Sequence, residues 1–474
     1  MNANIIHHGA VDGVTGSCHQ FFIDDINSLL IDCGLFQGAE TAPDGAAAQD
    51  RLEIGFPLEA VRALVVTHVH IDHVGRIPWL LAAGFKGLIL CSEPSARLLP
   101  VVLADAFAFG VSRDARLVER YLEMVEQRIR PLKWNTWYRV FDGNGAKGAG
   151  CRIRLQRAGH ILGSAYVEVE VTRAGGAARR VVFSGDLGAP FTPLLPAPRS
   201  PEAADVVVLE STYGDKVHEN RHDRRRQLQA VVEKALGNGG TVIVPAFSIG
   251  RTQELLYEFE DILYQQRRQP GPHAESWASL PFYLDSPLAG RFTRLYGDLQ
   301  PFWDEEGLAR VRAGRKPLAF EQLTGIEDHA AHEATVRRLA RSGEPAVVIA
   351  ASGMCAGGRV MNYLKAMLHD PRHDVLFVGY QARGTPGHVI QTWGPQGGYV
   401  EIDGERIGIR AGIHSLSGYS AHADQNDLVR FVTRMLMLPA EVRLVHGEAA
   451  ARQALAERLV RETEGRVTVV NGGG

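Results

Sequence analysis

The stretch His68-Val69-His70-Ile71-Asp72-His73 places four potential metal ligands directly behind an apolar strand candidate. If the chain stays extended, side chains two residues apart point the same way, so His68 and His70 can share one metal ion. Asp72 and His73 lie in the next turn, where the pattern becomes helical, and can face a second ion. Imidazole and carboxylate ligands together suit Zn²⁺ or Mn²⁺. A capped helix start with surface histidines is the less favoured alternative.

Other candidate strands in the first 210 residues also end at a residue that can bind a metal. Asp32 follows Leu30-Ile31, Asp186 lies shortly after Val181-Val182-Phe183, and Glu210 follows Val206-Val207-Val208-Leu209. Buried strands whose carboxyl ends feed functional loops are typical of α/β proteins. We therefore expect an α/β fold.

From about residue 213 the sequence predicts a second domain with a parallel sheet, because candidate strands alternate with helical stretches. The strand candidates are Thr241–Pro245, 281–284, Ala346–Ala350 and 374–378. Residues 400–407 predict a hairpin with Asp403-Gly404 at its turn.

We assign residues 1–212 and 411–474 to one domain, and residues 213–410 to a second domain inserted between them. Two further expectations concern the segments between strands. One is a helix-like stretch over 95–121, and the other is a loose linker over 267–279.

The composition is that of an ordinary globular protein, with 45% hydrophobic and 22% charged residues among 474. Lys and Arg number 51 against 54 Asp and Glu, for a net charge of -3. Because no global positive field is present, any site for a polyanion must be local. The five cysteines contain no C-x-x-C pair, which argues against a disulfide scaffold and fits a reducing compartment. The sequence shows no signal peptide and no membrane span, so we expect a cytoplasmic protein.

Four motifs resemble the signature of the metallo-β-lactamase fold. Besides His-x-His-x-Asp-His at 68–73, they are Ile31-Asp32-Cys33-Gly34-Leu35-Phe36-Gln37-Gly38, Ala158-Gly159-His160 and Phe183-Ser184-Gly185-Asp186. The resemblance implies an αββα metallo-β-lactamase sandwich.

Three later motifs resemble motifs A, B and C of the β-CASP nucleases. They are Leu209-Glu210-Ser211-Thr212-Tyr213-Gly214, Ser420-Ala421-His422-Ala423-Asp424 and Leu444-Val445-His446-Gly447-Glu448. The sequence is most similar to the nuclease subunit of the cleavage and polyadenylation specificity factor and to its shorter bacterial relatives. Ile71, where ribonuclease J relatives typically carry Glu, argues against the ribonuclease J branch. The inserted segment is therefore expected to be an α/β β-CASP domain.

The resemblance also implies a ligand set for two Zn²⁺ per chain, with Mn²⁺ as the alternative. One ion would be bound by His68, His70 and His160, the other by Asp72, His73 and His446, and Asp186 would bridge them. Two such ions can clamp the attacking and leaving oxygens of an in-line phosphoryl displacement.

Four residues are expected to act in catalysis: Asp72, His422, Glu210 and Asp32. His422 is the candidate general acid, and the carboxylate of Glu210 would hold it and favour imidazolium. The alternative for His422 is a scaffold role behind the ligands. Asp32 would orient a histidine.

Phosphate or RNA contacts are expected from the inserted domain, at Ser248, Arg251, Ser352, Arg359 and Arg383. These residues follow candidate strands, where N–H, hydroxyl and guanidinium groups can contact phosphates. For each arginine, a solvated or salt-bridged side chain is the alternative.

The expected function is zinc-dependent hydrolysis of single-stranded RNA by a two-metal mechanism, in the cleft between the two domains. Endonuclease activity is expected, 5′-exonuclease activity is left open beside it, and a homodimer is one option for the assembly. His446 favours RNA, because DNA-processing members of the clan typically carry Val at motif C. The alternatives are a β-CASP DNA nuclease, a non-nucleolytic hydrolase of thioesterase or glyoxalase type, and a catalytically inactive RNA-binding subunit.

Overall fold

The computed structural model describes residues 4–11, 13–37, 52–142, 149–173, 176–218 and 223–472. Gly38, the last residue of the first motif, lies outside this part of the chain. The chain divides into two compact units. The first comprises Met1–Pro190, Leu195–Val217 and His422–Gly474, and the second comprises Phe191–Leu194 and His218–Ala421.

The first sheet of the first unit has the order β1-β2-β3-β4-β5-β6. Its strands are β1 (Ile5–Gly9), β2 (Cys18–Phe22), β3 (Ser28–Ile31), β4 (Val61–Val65), β5 (Leu88–Ser92) and β6 (Ile129–Leu132). The first three strands are antiparallel, and β3 to β6 run parallel. Asp32 therefore follows β3 and His68 follows β4 at the same edge of this sheet.

A second sheet of the same unit begins with five strands. They are β7 (Tyr138–Phe141), β8 (Ala149–Arg157), β9 (Ala165–Arg173), β10 (Arg179–Phe183) and β11 (Val206–Glu210). Side chains alternate along β8, with Cys151, Ile153 and Leu155 buried and Arg152 exposed. The buried set packs with Ile31, Val65 and other residues of the first sheet in one hydrophobic core.

The helices between these strands are α1 (Ile71–Val74), α2 (Ile77–Ala82), α3 (Glu93–Gly110) and α4 (Ala115–Glu126). Helix α3 packs on β5 and β6. The helix-like stretch predicted over 95–121 is confirmed as two helices with a break between them, because α3 ends at Gly110. Asp114 then starts α4 by accepting a hydrogen bond from the Arg116 N–H at 2.9 Å. A glycine followed by an N-cap aspartate favours a break over a continuous helix.

The second unit contains a sheet with the order β14-β13-β15-β12-β16-β19, in which all neighbours are parallel. Its strands are β12 (Thr241–Pro245), β13 (Phe282–Asp285), β14 (Leu323–Gly325), β15 (Ala346–Ala350), β16 (Asp374–Phe377) and β19 (Gly412–Ser415). The separate hairpin is formed by β17 (Tyr399–Ile402) and β18 (Glu405–Gly408). Both the parallel sheet and the hairpin are confirmed. Asp403 and Gly404 have φ of 52° and 74°, as the two-residue turn requires.

The helices of the second unit precede or follow its strands along the chain. They are α5 (Arg224–Asn238), α6 (Arg251–Arg268), α7 (Ala274–Ser279), α8 (Pro287–Asp298), α9 (Glu305–Arg312), α10 (His329–Ser342), α11 (Val360–Met367) and α12 (Pro386–Trp393). The loose linker predicted over 267–279 is wrong. Helix α6 reaches Arg268, and α7 is anchored by Trp277, which is completely buried.

The C-terminal segment completes the first unit with α13 (Gln425–Thr433), β20 (Glu441–Val445), α14 (Ala449–Glu462) and β21 (Thr468–Asn471). The second sheet then has the order β21-β20-β11-β10-β9-β8-β7. Leu428 of α13 and Leu455 of α14 pack with Val182 and Val207 on its outer face. The αββα sandwich with an inserted α/β domain is confirmed. No helix within the described ranges is long and apolar enough to cross a membrane.

Candidate metal centre

The predicted metal ligands lie in loops and at strand ends along one edge of the first unit. His68 and His70 follow β4, Asp72 and His73 lie in α1, and His160, Asp186 and His446 follow β8, β10 and β20. Two glycines allow these loops to come close together. A Cβ on Gly34 would lie 1.5 Å from the backbone oxygen of Asp72, and a Cβ on Gly188 would lie 1.8 Å from that of Gly159. Any side chain at these positions would push the ligand loops apart.

The first group of ligand atoms contains three imidazoles and one carboxylate. His70 Nδ1 lies 3.1 Å from His68 Nε2 and 3.1 Å from His160 Nε2. Asp186 Oδ2 lies 3.6 Å from each of these two Nε2 atoms. Donor atoms that share a tetrahedral Zn²⁺ at about 2.0–2.1 Å lie about 3.3 Å from one another. The spacing of this group therefore fits one ion.

The second group contains Asp72, His73 and His446. Asp72 Oδ2 lies 3.5 Å from His446 Nε2 and 4.0 Å from His73 Nε2. The other carboxylate oxygen of Asp186, Oδ1, lies 3.2 Å from His73 Nε2 and 3.7 Å from His446 Nδ1. Asp186 thus presents one oxygen to each group, which is the geometry of a bridging ligand.

Several of the proposed metal-ligand atoms are buried and make no hydrogen bond. Within the described residues, His73 Nε2, His446 Nε2 and Asp186 Oδ1 make none, and they contact other members of the cluster. Buried polar atoms are normally satisfied, because leaving them unsatisfied costs free energy. Two divalent ions would satisfy these atoms, so the residues present fit the metals that the donor set suits.

Burial and neighbouring charges shift the pKa values of the cluster's side chains in different directions. Burial lowers the pKa of His68 and His160 well below the usual value and that of His70 to about 4, which keeps them in the neutral form that binds metals. Burial alone would raise the pKa of Asp186, but His446 and His73 outweigh it and hold that pKa well below its usual range. Burial alone would lower the pKa of His446, but Asp186 raises it to about 9.

Asp32 lies behind the ligands. Its Oδ2 accepts a hydrogen bond from His73 Nδ1 at 2.8 Å, and its Oδ1 accepts one from the backbone N–H of Thr67 at 2.8 Å. The bond to Nδ1 turns His73 Nε2 toward Asp186. A carboxylate that holds the second nitrogen of a ligating histidine in this way fixes its tautomer and its orientation. Burial raises the pKa of Asp32, and His73 partly offsets this.

Glu210 and His422 form a pair beside the first group. His422 Nδ1 lies 3.1 Å from Glu210 Oε2 and 3.9 Å from Asp186 Oδ2. Glu210 Oε1 also accepts a hydrogen bond from the backbone N–H of Leu187 at 2.6 Å. Glu210, Asp186 and His446 are close enough together to hold one metal ion. Both carboxylate oxygens of Glu210 are already hydrogen-bonded, however, to His422 and to the Leu187 N–H. Burial alone would lower the pKa of His422, but Glu210 outweighs burial and raises it.

Two threonines next to the ligands were missed by the sequence reasoning. Thr212 Oγ1 lies 3.1 Å from His446 Nδ1, and Thr67 Oγ1 donates to Asp32 Oδ2 at 2.7 Å. The sequence signal of these threonines is weak, because a single sequence does not distinguish a threonine that orients a histidine from a threonine that fills the core. Proximity to a ligand motif is the only hint.

Three of the five predicted phosphate contacts lie in loops after parallel strands of the second unit. Ser248 follows β12, Ser352 follows β15 and Arg383 follows β16. Gln381 Nε2 donates to the backbone oxygen of Gly353 at 2.9 Å, so the loops after β15 and β16 touch. Ser352 and Arg383 therefore belong to adjoining loops.

The other two predicted phosphate contacts have protein partners. Arg251 is buried and forms an ion pair with Glu254. Arg359 binds Asp285 at 2.8 Å and also donates to the backbone oxygens of Ile326 and Glu327. These bonds give both arginines a structural role. A phosphate contact stays a prediction for each of the five residues.

Three family models match consecutive parts of the chain. Residues 14–246 match the metallo-beta-lactamase superfamily, and residues 252–390 match the Beta-Casp domain. Residues 406–470 match the Zn-dependent metallo-hydrolase RNA specificity domain. Their order follows the order of the motifs along the sequence.

Among similar proteins, Ribonuclease TTHA0252 of Thermus thermophilus is 36% identical over 96% of this chain and 95% of its own length. The transcription termination factors FttA of Methanosarcina mazei and Methanocaldococcus jannaschii are 28% and 27% identical over 92% and 89% of this chain. The chain spans 65% and 63% of these two archaeal proteins. With the fold, the ligand cluster and this identity over nearly its whole length, the chain belongs to the β-CASP family of metal-dependent hydrolases with the metallo-β-lactamase fold.

Proposed function

We propose that this hydrolase is a zinc-dependent ribonuclease that cleaves phosphodiester bonds of single-stranded RNA, with Mn²⁺ as the alternative metal. One observation carries the proposal: two groups of ligand atoms share Asp186, and the pair of His422 and Glu210 lies directly beside that shared carboxylate. Two adjacent metal positions with an acid next to them suit in-line hydrolysis of a phosphodiester.

When bound, two divalent ions supply the positive charge that stabilises a phosphoryl transition state and that lowers the pKa of water. The chain's own residues set their positions. Asp186 fixes the distance between the two groups through its two oxygens, and Asp72 adds negative charge to the second group. Asp32 keeps His73 in one orientation.

His422 is the proposed general acid. Because Nδ1 is held by Glu210, Nε2 is the nitrogen that can donate a proton to the leaving oxygen as the P–O bond breaks. The raised pKa of His422 supports this role, since a larger fraction of the imidazole carries the proton near neutral pH. Glu210 acts through His422 and is a positioning residue.

RNA as the substrate is supported by the comparisons and by His446. One similar protein is named a ribonuclease, two are named transcription termination factors, and the model matched at 406–470 is named for RNA specificity. His446 completes the second ligand group, where the DNA-processing members typically carry Val.

The alternatives fit these observations less well. An inactive RNA-binding subunit is disfavoured, because all seven proposed ligands are present and in two groups. A thioesterase or glyoxalase type is disfavoured by the Beta-Casp match, and a DNA nuclease by His446. The five cysteines are free and buried, which supports the cytoplasm as the proposed compartment. The homodimer stays a prediction.

The test is incubation with 5′-labelled and 3′-labelled single-stranded RNA and with DNA of the same sequence. Asp186→Ala removes the shared ligand and controls for contaminating nuclease. Glu333→Gln, which removes one exposed carboxylate far along the chain, is the matched control for the effect of a substitution as such. We expect the wild-type protein and Glu333→Gln to cut RNA, and Asp186→Ala to be inactive. Internal fragments from both labels indicate endonuclease cleavage, and single nucleotides released from the 5′ label indicate exonuclease cleavage. Equal activity in Asp186→Ala would contradict the proposal.

A further inference from the structure

The side-chain hydroxyl of Thr67 contacts members of both ligand groups. Thr67 is buried between the end of β4 and His68, with 1% of its surface exposed. Its Oγ1 lies 2.7 Å from Asp32 Oδ2, 3.2 Å from His68 Nδ1 and 3.5 Å from His73 Nδ1. His68 belongs to the first group and His73 to the second.

The direction of these hydrogen bonds follows from the atoms involved. Thr67 Oγ1 donates its single hydroxyl proton to Asp32 Oδ2, and the two oxygens of Asp32 also lie against the Thr67 N–H and His73 Nδ1. The lone pairs of Thr67 Oγ1 can then accept the Nδ1–H of His68. With its proton on Nδ1, His68 presents the lone pair of Nε2 to the first group.

Asp32 is thereby connected to both groups. Its Oδ2 binds His73 directly, at 2.8 Å from Nδ1, and it binds His68 through the hydroxyl of Thr67. Building on the proposed two-metal function, we infer that Thr67 is a positioning residue that lets one buried carboxylate orient a ligand in each of the two metal-binding groups. The Thr67 hydroxyl bonds His68 and also holds Oδ2 of Asp32, the oxygen that accepts from His73. Removing it should therefore weaken metal binding in both groups.

Thr212 provides a contrast within the same site. Its Oγ1 lies 3.1 Å from His446 Nδ1 and donates to the backbone oxygen of His446 at 3.2 Å. Both contacts are to a residue of the second group. The same substitution at Thr212 should therefore affect the second group alone, which makes Thr212→Val a matched variant for Thr67→Val.

The experiment measures Zn²⁺ affinity, by competition with a chromophoric chelator, in two backgrounds. His446→Ala keeps the four ligands of the first group, and His160→Ala keeps the second group. We expect Thr67→Val to weaken Zn²⁺ binding by about 10–100-fold in both backgrounds. Thr212→Val should do so only in the His160→Ala background, and Thr67→Ser, which keeps the hydroxyl, should restore binding in both.

The inference is overturned if Thr67→Val changes the affinity of one group only, or if Thr67→Ser is as damaging as Thr67→Val. Should Thr67→Val fail to fold, Asp32→Asn replaces it, because the loss of this carboxylate must also weaken both groups. A wild-type protein that binds neither Zn²⁺ nor Mn²⁺ overturns the proposed function together with the inference. If the wild type binds two Zn²⁺ and Thr67→Val weakens binding in one group only, the inference is refuted and the proposed function stands.

Discussion

His422 Nδ1 lies 3.1 Å from Glu210 Oε2, while the other oxygen of Glu210 accepts the backbone N–H of Leu187 at 2.6 Å. The carboxylate is therefore fixed from two sides, and it fixes the imidazole in turn. His422 thus lies 3.9 Å from the shared carboxylate of Asp186 but is held by Glu210, and it belongs to neither group of proposed ligands. Metal content and cleavage rate distinguish an acid from a ligand, because only the loss of a ligand removes metal.

Replacing His422 with Ala should keep both metals and slow RNA cleavage by about 10²–10⁴-fold, because a positioned acid is lost. An RNA with a sulfur leaving atom at the scissile bond needs no protonation and should recover most of the loss. Metal content by elemental analysis and single-turnover rates check this. If His422→Ala loses metal, the residue is a ligand and our assignment is wrong.

Elemental analysis should find about two metal ions per chain, because the seven ligands form two groups. Asp186→Ala should lose more metal and more activity than any other single ligand substitution, since this carboxylate serves both groups. His70→Ala, which touches the first group alone, is the comparison. A well-folded wild-type protein that takes up no metal on titration would contradict the two-metal account.

Removing metal should lower the melting temperature of the protein. A ligand that binds the folded state stabilises it by about 2.7 kcal/mol per site at a free concentration 100 times its Kd. Thermal unfolding with a chelator and then with added Zn²⁺ measures the shift. Asp186→Ala should show a much smaller shift, and an equal shift would place the stabilising metal elsewhere.

Arg359 and Arg383 should respond differently to truncation. Arg359→Ala leaves the completely buried Asp285 without one hydrogen-bond donor, so the free energy of unfolding should fall by about 1–3 kcal/mol. Arg383 is exposed, so Arg383→Ala should raise KM for RNA and change the free energy of unfolding by less than about 0.5 kcal/mol. Denaturant unfolding and steady-state kinetics check both. A stable Arg359→Ala with a raised KM would mean that Arg359 contacts phosphate instead.

Much of the fold could be predicted because its strands are short, apolar and bounded by turn residues. The strands 241–245 and 346–350 lie where the sequence placed them. The break between α3 and α4 was missed because residues 95–121 keep an almost continuous helical composition. The decisive bond there, from the Arg116 N–H to Asp114, is a local capping contact that a search for periodicity passes over.

The site could be predicted as far as its ligands, since the spacing of His68, His70 and His73 carries chemistry by itself and the motifs supply the rest. The hydrogen bonds that hold the site's side chains in place could not be predicted. Thr67 lies 35 residues from Asp32, and Arg359 lies 74 residues from its partner Asp285. A single sequence does not show such pairs, because the fold alone brings them together.

The most direct test of the account compares cleavage rates on single-stranded RNA, on matched DNA, and on the same DNA with one ribonucleotide at a cleavage site. A protein that recognises RNA at the scissile nucleotide needs a contact with the 2′-OH. We expect fast cleavage of RNA, cleavage of the chimera at the ribonucleotide, and little cleavage of DNA, all of it lost in Asp186→Ala. Equal rates on RNA and DNA, or faster cleavage of DNA, would contradict the account.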